Sequence, residues 1–428
     1  MINVWEQYNK TMELPDISRE FKLEILFRKK RSSESCFNIY PEPDKIGFHR
    51  VKCSYFVGID WVEEKKTPIY IEPKLNEGSD QTDYLSMLFS ALSHPEIVKY
   101  TDELFEVKFD KPQIEIQQQQ DKFTPLLVIL FLKLVQEIVR KDLKKSYYRI
   151  EQNLDSRIKG KILVSRTIKD NILKNKMLKT YCSYDEFGYN GFENRLIKKA
   201  LTFVKRYLPK LKVFKADKFA EPILNYINPA FENVSDEVNL NDVKHTKKNV
   251  FYKEYEEAIR LAKIILKRFG YNITNIENQK VKTPPFWIDM SKLFELYVLG
   301  LLKDSKIDLI YQFQGYYGKP DFLLPKEKVV LDSKYKTYYK EEFSELSQSK
   351  KDNVASDIRQ MSGYARDKKV LGKLGLEETK IANCLIIYPD QSISRMDLND
   401  VPLKKTLIKE FVQFYKVGIK LPEIKFTK

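Results

Sequence analysis

The stretch GKPDFLLPKEKVVLDSKYK, residues 318–336, constrains the fold of this chain more than any other. It reads as two short apolar runs joined by the polar turn Pro325–Lys328, the pattern of a β-hairpin. A four-residue turn pairs Leu324 with Val329 and sets Asp321 directly opposite Asp332, on one face. Lys334, two residues beyond Asp332, falls on that face too. Two facing carboxylates repel, so stability alone does not account for them. A divalent cation between them removes the repulsion, and hard oxygen ligands suit Mg²⁺ or Mn²⁺. The geometry hangs on the turn: a slip of one residue would break it.

Asp321, Asp332 and Lys334 spell the PD-(D/E)xK arrangement, as Pro320-Asp321 and Asp332-Ser333-Lys334. Its chemistry is phosphodiester hydrolysis, in which a metal polarises the phosphate and lowers the pKa of a bound water. Lys334 would orient that water or stabilise charge developing on the phosphate. Such a motif also arises by chance in lysine-rich chains, so its neighbours matter. Glu295 lies on the preceding predicted helix, where such nucleases often supply a third metal carboxylate. Downstream, Gln360 and Tyr364 are four apart on one helical face. They resemble the Q-x-x-x-Y element of RecB-type nucleases, which would bring Gln360 to the site or the DNA and give Tyr364 a role shared between packing and contact.

A chain of 428 residues exceeds one ordinary core. Residues 1–120 read as a β-rich domain, with runs such as VKCSYFVGIDW and TPIYIEPKL. Residues 121–275 read as mainly helical, opened by Thr124 as cap and Pro125 in the first turn. Within them Leu196, Ile197, Ala200, Leu201 and Val204 repeat at helical spacing, and Gly270 reads as a helix stop. Residues 276–428 run helix, three strands, helix, strand. The class is α/β (α+β overall), ending in a nuclease-like domain with a mixed central sheet flanked by helices.

The net charge of +15 is concentrated: residues 140–218 hold 22 Lys and Arg against 8 Asp and Glu, a local +14. A concentrated block points to phosphates or an acidic partner surface. Cys36, Cys53, Cys182 and Cys384 are scattered without a CxxC pair, which argues against a zinc ribbon and for free thiols in a reducing cytoplasm. His49, His94 and His245 are equally dispersed, so a histidine metal site or a Ser–His–Asp triad lacks support. The longest apolar run, PLLVILFL, is too short to span a membrane, and no signal peptide is visible.

Together these segments resemble the McrC family, the nuclease subunits of McrBC-type modification-dependent restriction systems; LlaJI-like restriction subunits are close relatives. PDFLL, LDSKYK and RQMSGYA match the family's nuclease end. RIKGKI and YDEFGYNGFENRLIKKAL match its middle, and YFVGIDW and YIEPKL are similar to its N-terminal β region. The resemblance implies a Mg²⁺-dependent DNA endonuclease subunit working with McrB, an AAA+ GTPase ring that carries the recognition domain for methylated DNA. Family members bind that ring through their N-terminal part and stimulate its GTP hydrolysis. No G-x-x-x-x-G-K-[ST] loop occurs here, so no nucleotide is expected to bind this chain itself.

The expected catalytic set is therefore Asp321, Asp332, Lys334, Glu295 and Gln360, with metal held by the three carboxylates. Arg157, Lys159, Lys161 and Arg195 in the basic block, with Tyr364, are the expected contacts to double-stranded DNA or to the ring. Phosphate contacts give affinity without sequence reading, so specificity would come from the partner. Three readings compete: a stand-alone RecB-like repair nuclease, a non-catalytic scaffold that regulates an AAA+ partner, and a plain DNA-binding module whose hairpin carboxylates are surface residues.

Overall fold

The computed structural model describes the chain except for residues 7, 15–17, 19, 29–33, 44, 46, 74–80, 118–120, 122, 209–215, 239–252, 273–279, 394–405 and 425–428. His245, the end of the YIEPKL run and most of the glutamine tract lie outside the described residues. The class is mixed α+β, as the sequence implied. The chain divides into two compact units, residues 1–116 with 282–428, and residues 117–281. The first and last segments of the sequence therefore share one unit.

Strand Phe286–Asp289 shows how. All four of its residues are buried. It pairs antiparallel with Phe56–Glu63 on one side and with Phe105–Val107 on the other. A Cβ on Gly58 would lie 2.0 Å from the Phe286 carbonyl oxygen, so the close approach of these strands requires glycine there. Trp287 is fully buried, and its indole N–H donates to Asp60 Oδ2 at 3.1 Å. Asp60 is itself buried and is matched by Lys108 at 2.7 Å and Lys111 at 3.3 Å, as a buried charge must be. Fully burying an apolar side chain, as at Phe286 and Ile288 of this strand, contributes roughly 1.5–3 kcal/mol.

Strand Phe286–Asp289 runs straight into helix Met290–Asp304. Asp289 caps that helix, accepting from Lys292 N at 3.0 Å. Next comes a six-stranded sheet in the order Ile310–Tyr311, Phe322–Leu324, Val329–Ser333, Asn383–Pro389, Phe414–Ile419, Thr406–Leu407. Its first two pairings and its last are antiparallel, and the two between are parallel. Helix Gln348–Tyr364 lies in the connection from Val329–Ser333 to its parallel neighbour, the crossover such a pair needs. The run KIDLIYQFQ, expected as a full strand, forms only the two-residue strand Ile310–Tyr311.

In the unit 117–281, helix Phe123–Arg140 carries the long apolar run and is buried on nearly every face. Its cap is Asp121 rather than Thr124: Asp121 Oδ1 accepts from Thr124 N at 3.1 Å. Helix Phe192–Tyr207 buries all five of the residues read as its apolar face. Helix Lys253–Asn272 continues two residues past Gly270, whose lack of a side chain does not by itself end a helix. The basic block is not helical throughout. Strands Ser146–Asp155 and Lys179–Gly188 form a ten-pair antiparallel ribbon, with Lys161–Ile162 added at one edge. Among the described residues no helix is long and apolar enough to cross a membrane, and all four cysteines are free and buried.

Candidate active site

The hairpin adopts the expected register: Leu324 faces Val329, Leu323 faces Val330 and Phe322 faces Leu331. Asp321 and Asp332 are the next residues outward on the two strands. Ser333 clamps Asp321, its backbone N–H and hydroxyl donating to Asp321 Oδ2 at 2.8 and 2.6 Å. Asp332 is buried, and its Oδ2 lies 2.6 Å from Lys334 Nζ. Glu295, Asp321, Asp332, Lys334 and Gln360 all line one cavity of about 290 Å³, together with Lys319, Tyr335 and Lys336.

Charge is crowded in this cavity. Burial, and then the negative charges of Asp332 and Glu295, push the Asp321 carboxyl well above the usual carboxylate range, against the opposing pull of the Ser333 bonds. Burial disfavours the Lys334 ammonium, but Asp332 and Asp357 together outweigh it and hold the lysine above its ordinary value. Lys334 therefore remains a cation. It is fixed from a second side by Gln360, whose Oε1 accepts from Nζ at 2.9 Å. Gln360 in turn donates to Tyr364 Oη at 2.9 Å.

Several expected residues take up other positions. Glu295 reaches the cavity, but its Oε1 accepts from Tyr311 at 2.5 Å, Gln312 at 2.9 Å and Lys292 at 3.1 Å. Among the described residues no three His, Cys, Asp or Glu side chains gather tightly enough to ligate one ion. Asp321 and Asp332 alone still suit magnesium, which binds through one or two carboxylates and completes its shell with water and substrate phosphate. Tyr364, expected among the contact residues, is only 5% exposed and supports Gln360 from behind.

Asp357 was not anticipated. It is buried on helix Gln348–Tyr364, and its Oδ2 accepts from Lys336 and from Tyr339, each at 2.7 Å. Its Oδ1 lies 3.6 Å from Lys334. It precedes Gln360 by three residues, so helical spacing from Gln360 was the signal that would have found it.

Arg157, Lys159, Lys161 and Arg195 belong to the unit 117–281. The first three are exposed at one end of the ribbon, where Ser156 N donates to Leu178 O. Ile158, Val164, Leu173, Met177 and Leu178 are exposed in the same segment. Arg195 instead turns its guanidinium to the Glu237 carbonyl at 3.4 Å.

Residues 51–389 match the family described as McrBC 5-methylcytosine restriction system component. This chain belongs to that family. Solved structures resemble it, among them two from Thermococcus gammatolerans. One is the refined half-complex from the tetradecameric assembly of Thermococcus gammatolerans McrB AAA+ hexamers with bound McrC. The resemblance is 15% identity over 88% of this chain and 80% of that one, with a TM-score of 0.35. The other is the Thermococcus gammatolerans McrBC complex, 17% identical over 61% of this chain and 70% of that one, with a TM-score of 0.27. No curated protein matches.

Proposed function

We propose that this McrBC-family chain is a magnesium-dependent DNA endonuclease subunit that cuts when assembled with an McrB-like AAA+ NTPase ring. Family membership supports the restriction system and the ring. The observation that carries the nuclease reading is the meeting of Asp321, Asp332 and Lys334 in one cavity, where burial and then the acidic neighbours raise the Asp321 carboxyl.

Asp321 and Asp332 would hold the cation. When bound, it would polarise the scissile phosphate and lower the pKa of the attacking water. Ser333 fixes the orientation of Asp321. Lys334 bears its proton at neutral pH, so it acts as a cation beside the phosphate and not as a base. Gln360 and Tyr364 hold the ammonium in place. Glu295, already engaged by Lys292, adds negative potential at the edge of the cavity. Arg157, Lys159 and Lys161 form the contact surface of the other unit, toward DNA or the ring.

The test is cleavage of methylated and unmethylated plasmid with Mg²⁺, by the wild type and by Asp332→Ala, each alone and with the ring and its nucleotide. Cleavage that requires the ring and disappears in Asp332→Ala is the expected result. Cleavage that survives Asp332→Ala removes the site from the reaction. Activity without the ring would favour a stand-alone nuclease.

A further inference from the structure

The loop leading to Asp321 carries two adjacent aromatic residues that the site as described does not use. Tyr316 and Tyr317 are 74% and 61% exposed. Scattered exposed apolar residues are ordinary, but these two sit on a loop that is held firmly. Gly315 N donates to Gly318 O at 2.9 Å, closing the turn around them. Tyr317 N donates to Asp367 Oδ2 at 2.8 Å. The Tyr317 ring meets the Tyr364 ring edge-on at 5.7 Å. It also occupies the space beside Gly363, where a Cβ would lie 2.4 Å from Tyr317 Cε1, so the ring keeps this position only beside a residue without a side chain. Tyr316 is thereby presented to solvent with Lys369 Nζ 4.1 Å from its ring centroid, a cation–π pair.

The position of this loop matters. Tyr317 packs on Tyr364, which bonds Gln360, which bonds Lys334. Lys319, two residues after Tyr317, is exposed and lines the cavity with Asp321 and Asp332. An exposed aromatic on a rigid turn, flanked by lysines and beside an acidic cavity, has the chemistry of a site for single-stranded nucleic acid: a π-face for the base and ammonium groups for the phosphates.

We propose that Tyr316, on the loop that Tyr317 anchors, is a stacking platform for an unstacked nucleobase next to the phosphate in the cavity, with Lys319 and Lys369 taking adjoining phosphates. This deepens the nuclease reading and rests on it. Bases inside a duplex have no free face, so the strand entering the cavity is locally unpaired.

The test uses the full chain, with EDTA present, and an oligonucleotide containing 2-aminopurine, as a single strand and as a blunt duplex. Wild type is expected to bind the single strand in preference and to change the analogue's fluorescence. Tyr316→Ala is expected to lose that change and bind roughly tenfold more weakly, as for loss of one stacked base. Tyr316→Phe should keep both. A thermal melt of each variant verifies folding, since Tyr316 is exposed. Wild-type binding and fluorescence in Tyr316→Ala, or no single-strand binding by the wild type, overturns the platform. Asp332→Asn separates the two readings: it is expected to abolish the cleavage seen with Mg²⁺, the ring and its nucleotide while keeping the fluorescence change of the chain alone. If Asp332→Asn cleaves normally, the nuclease site fails, and the fluorescence of Tyr316→Ala still decides the platform.

Discussion

Tyr335 donates its hydroxyl to Glu6 at 3.0 Å, across 329 residues of chain and in a buried setting. Tyr335 follows Lys334 directly, so the strand end that carries the site is tied to the first strand region of the protein. Burial, and then the charge of Glu6, raise the tyrosine well above its ordinary pKa, so it is a neutral donor under all working conditions.

Tyr335→Phe removes the hydroxyl and with it the buried hydrogen bond to Glu6 Oε1. The expected cost is about 1–3 kcal/mol. It should appear as a lower midpoint in denaturant with an unchanged slope, together with reduced cleavage, because Lys334 loses the rigid neighbour that places it. An unaltered midpoint would show that water replaces the hydroxyl and that the tie is dispensable.

Asp357 faces two lysines and a tyrosine from helix Gln348–Tyr364. It acts through Lys334 and Lys336 and is a positioning residue. Asp357→Asn keeps the shape but removes the charge that helps hold Lys334 protonated. Cleavage is expected to fall mainly in kcat, with the alkaline limb of its pH profile moving to lower pH. Asp357→Glu should recover part of the rate. A loss that appears only in KM, with the pH profile unmoved, would give Asp357 a structural role instead.

These cases show what the sequence made legible. The hairpin register was readable because PKEK is a compact polar turn and the flanking runs leave one alignment that buries them both. Gln360 was readable from its spacing to Tyr364. Glu295's surroundings were not, because two of its partners, Tyr311 and Gln312, come from a two-residue strand with little apolar pattern of its own. The ribbon Ser146–Asp155 was missed for a related reason. Of its ten residues only Leu154 is buried, so the alternation of Tyr148, Ile150 and Leu154 with polar neighbours is weak beside the apolar helical run that precedes it. Asp121 was not read as a cap; its carboxylate accepts from both Thr124 N and the Thr124 hydroxyl, so Thr124 is the capped residue and not the cap.

Cys53 provides a probe of the β-rich region. Burial pushes its thiol up to about 12. A thiol raised in the folded state contributes stability that is complete below its unfolded value, about 8.5, and is lost as pH rises through about 12. Between those limits the unfolded chain ionises first. The expected result is slow alkylation of Cys53 at pH 8 under native conditions, accelerating in parallel with global unfolding in urea. Rapid labelling of the folded protein would mean that the sheet carrying Phe48–Cys53 opens locally.

The basic end of the ribbon offers a test that leaves the core alone. Arg157, Lys159 and Lys161 are exposed, and truncating such residues usually changes stability by less than about 0.5 kcal/mol. The triple Ala variant should melt with the wild type yet lose most ring-dependent cleavage. The salt dependence of DNA binding says which contact was lost. If the three side chains hold duplex phosphates, the slope of log K against log salt should fall by about 0.9 for each contact removed. If they meet the ring, DNA binding by the isolated chain keeps its slope, and stimulation of the ring's nucleotide hydrolysis falls instead. Full cleavage and full stimulation in the triple variant would remove this end of the ribbon from both interfaces.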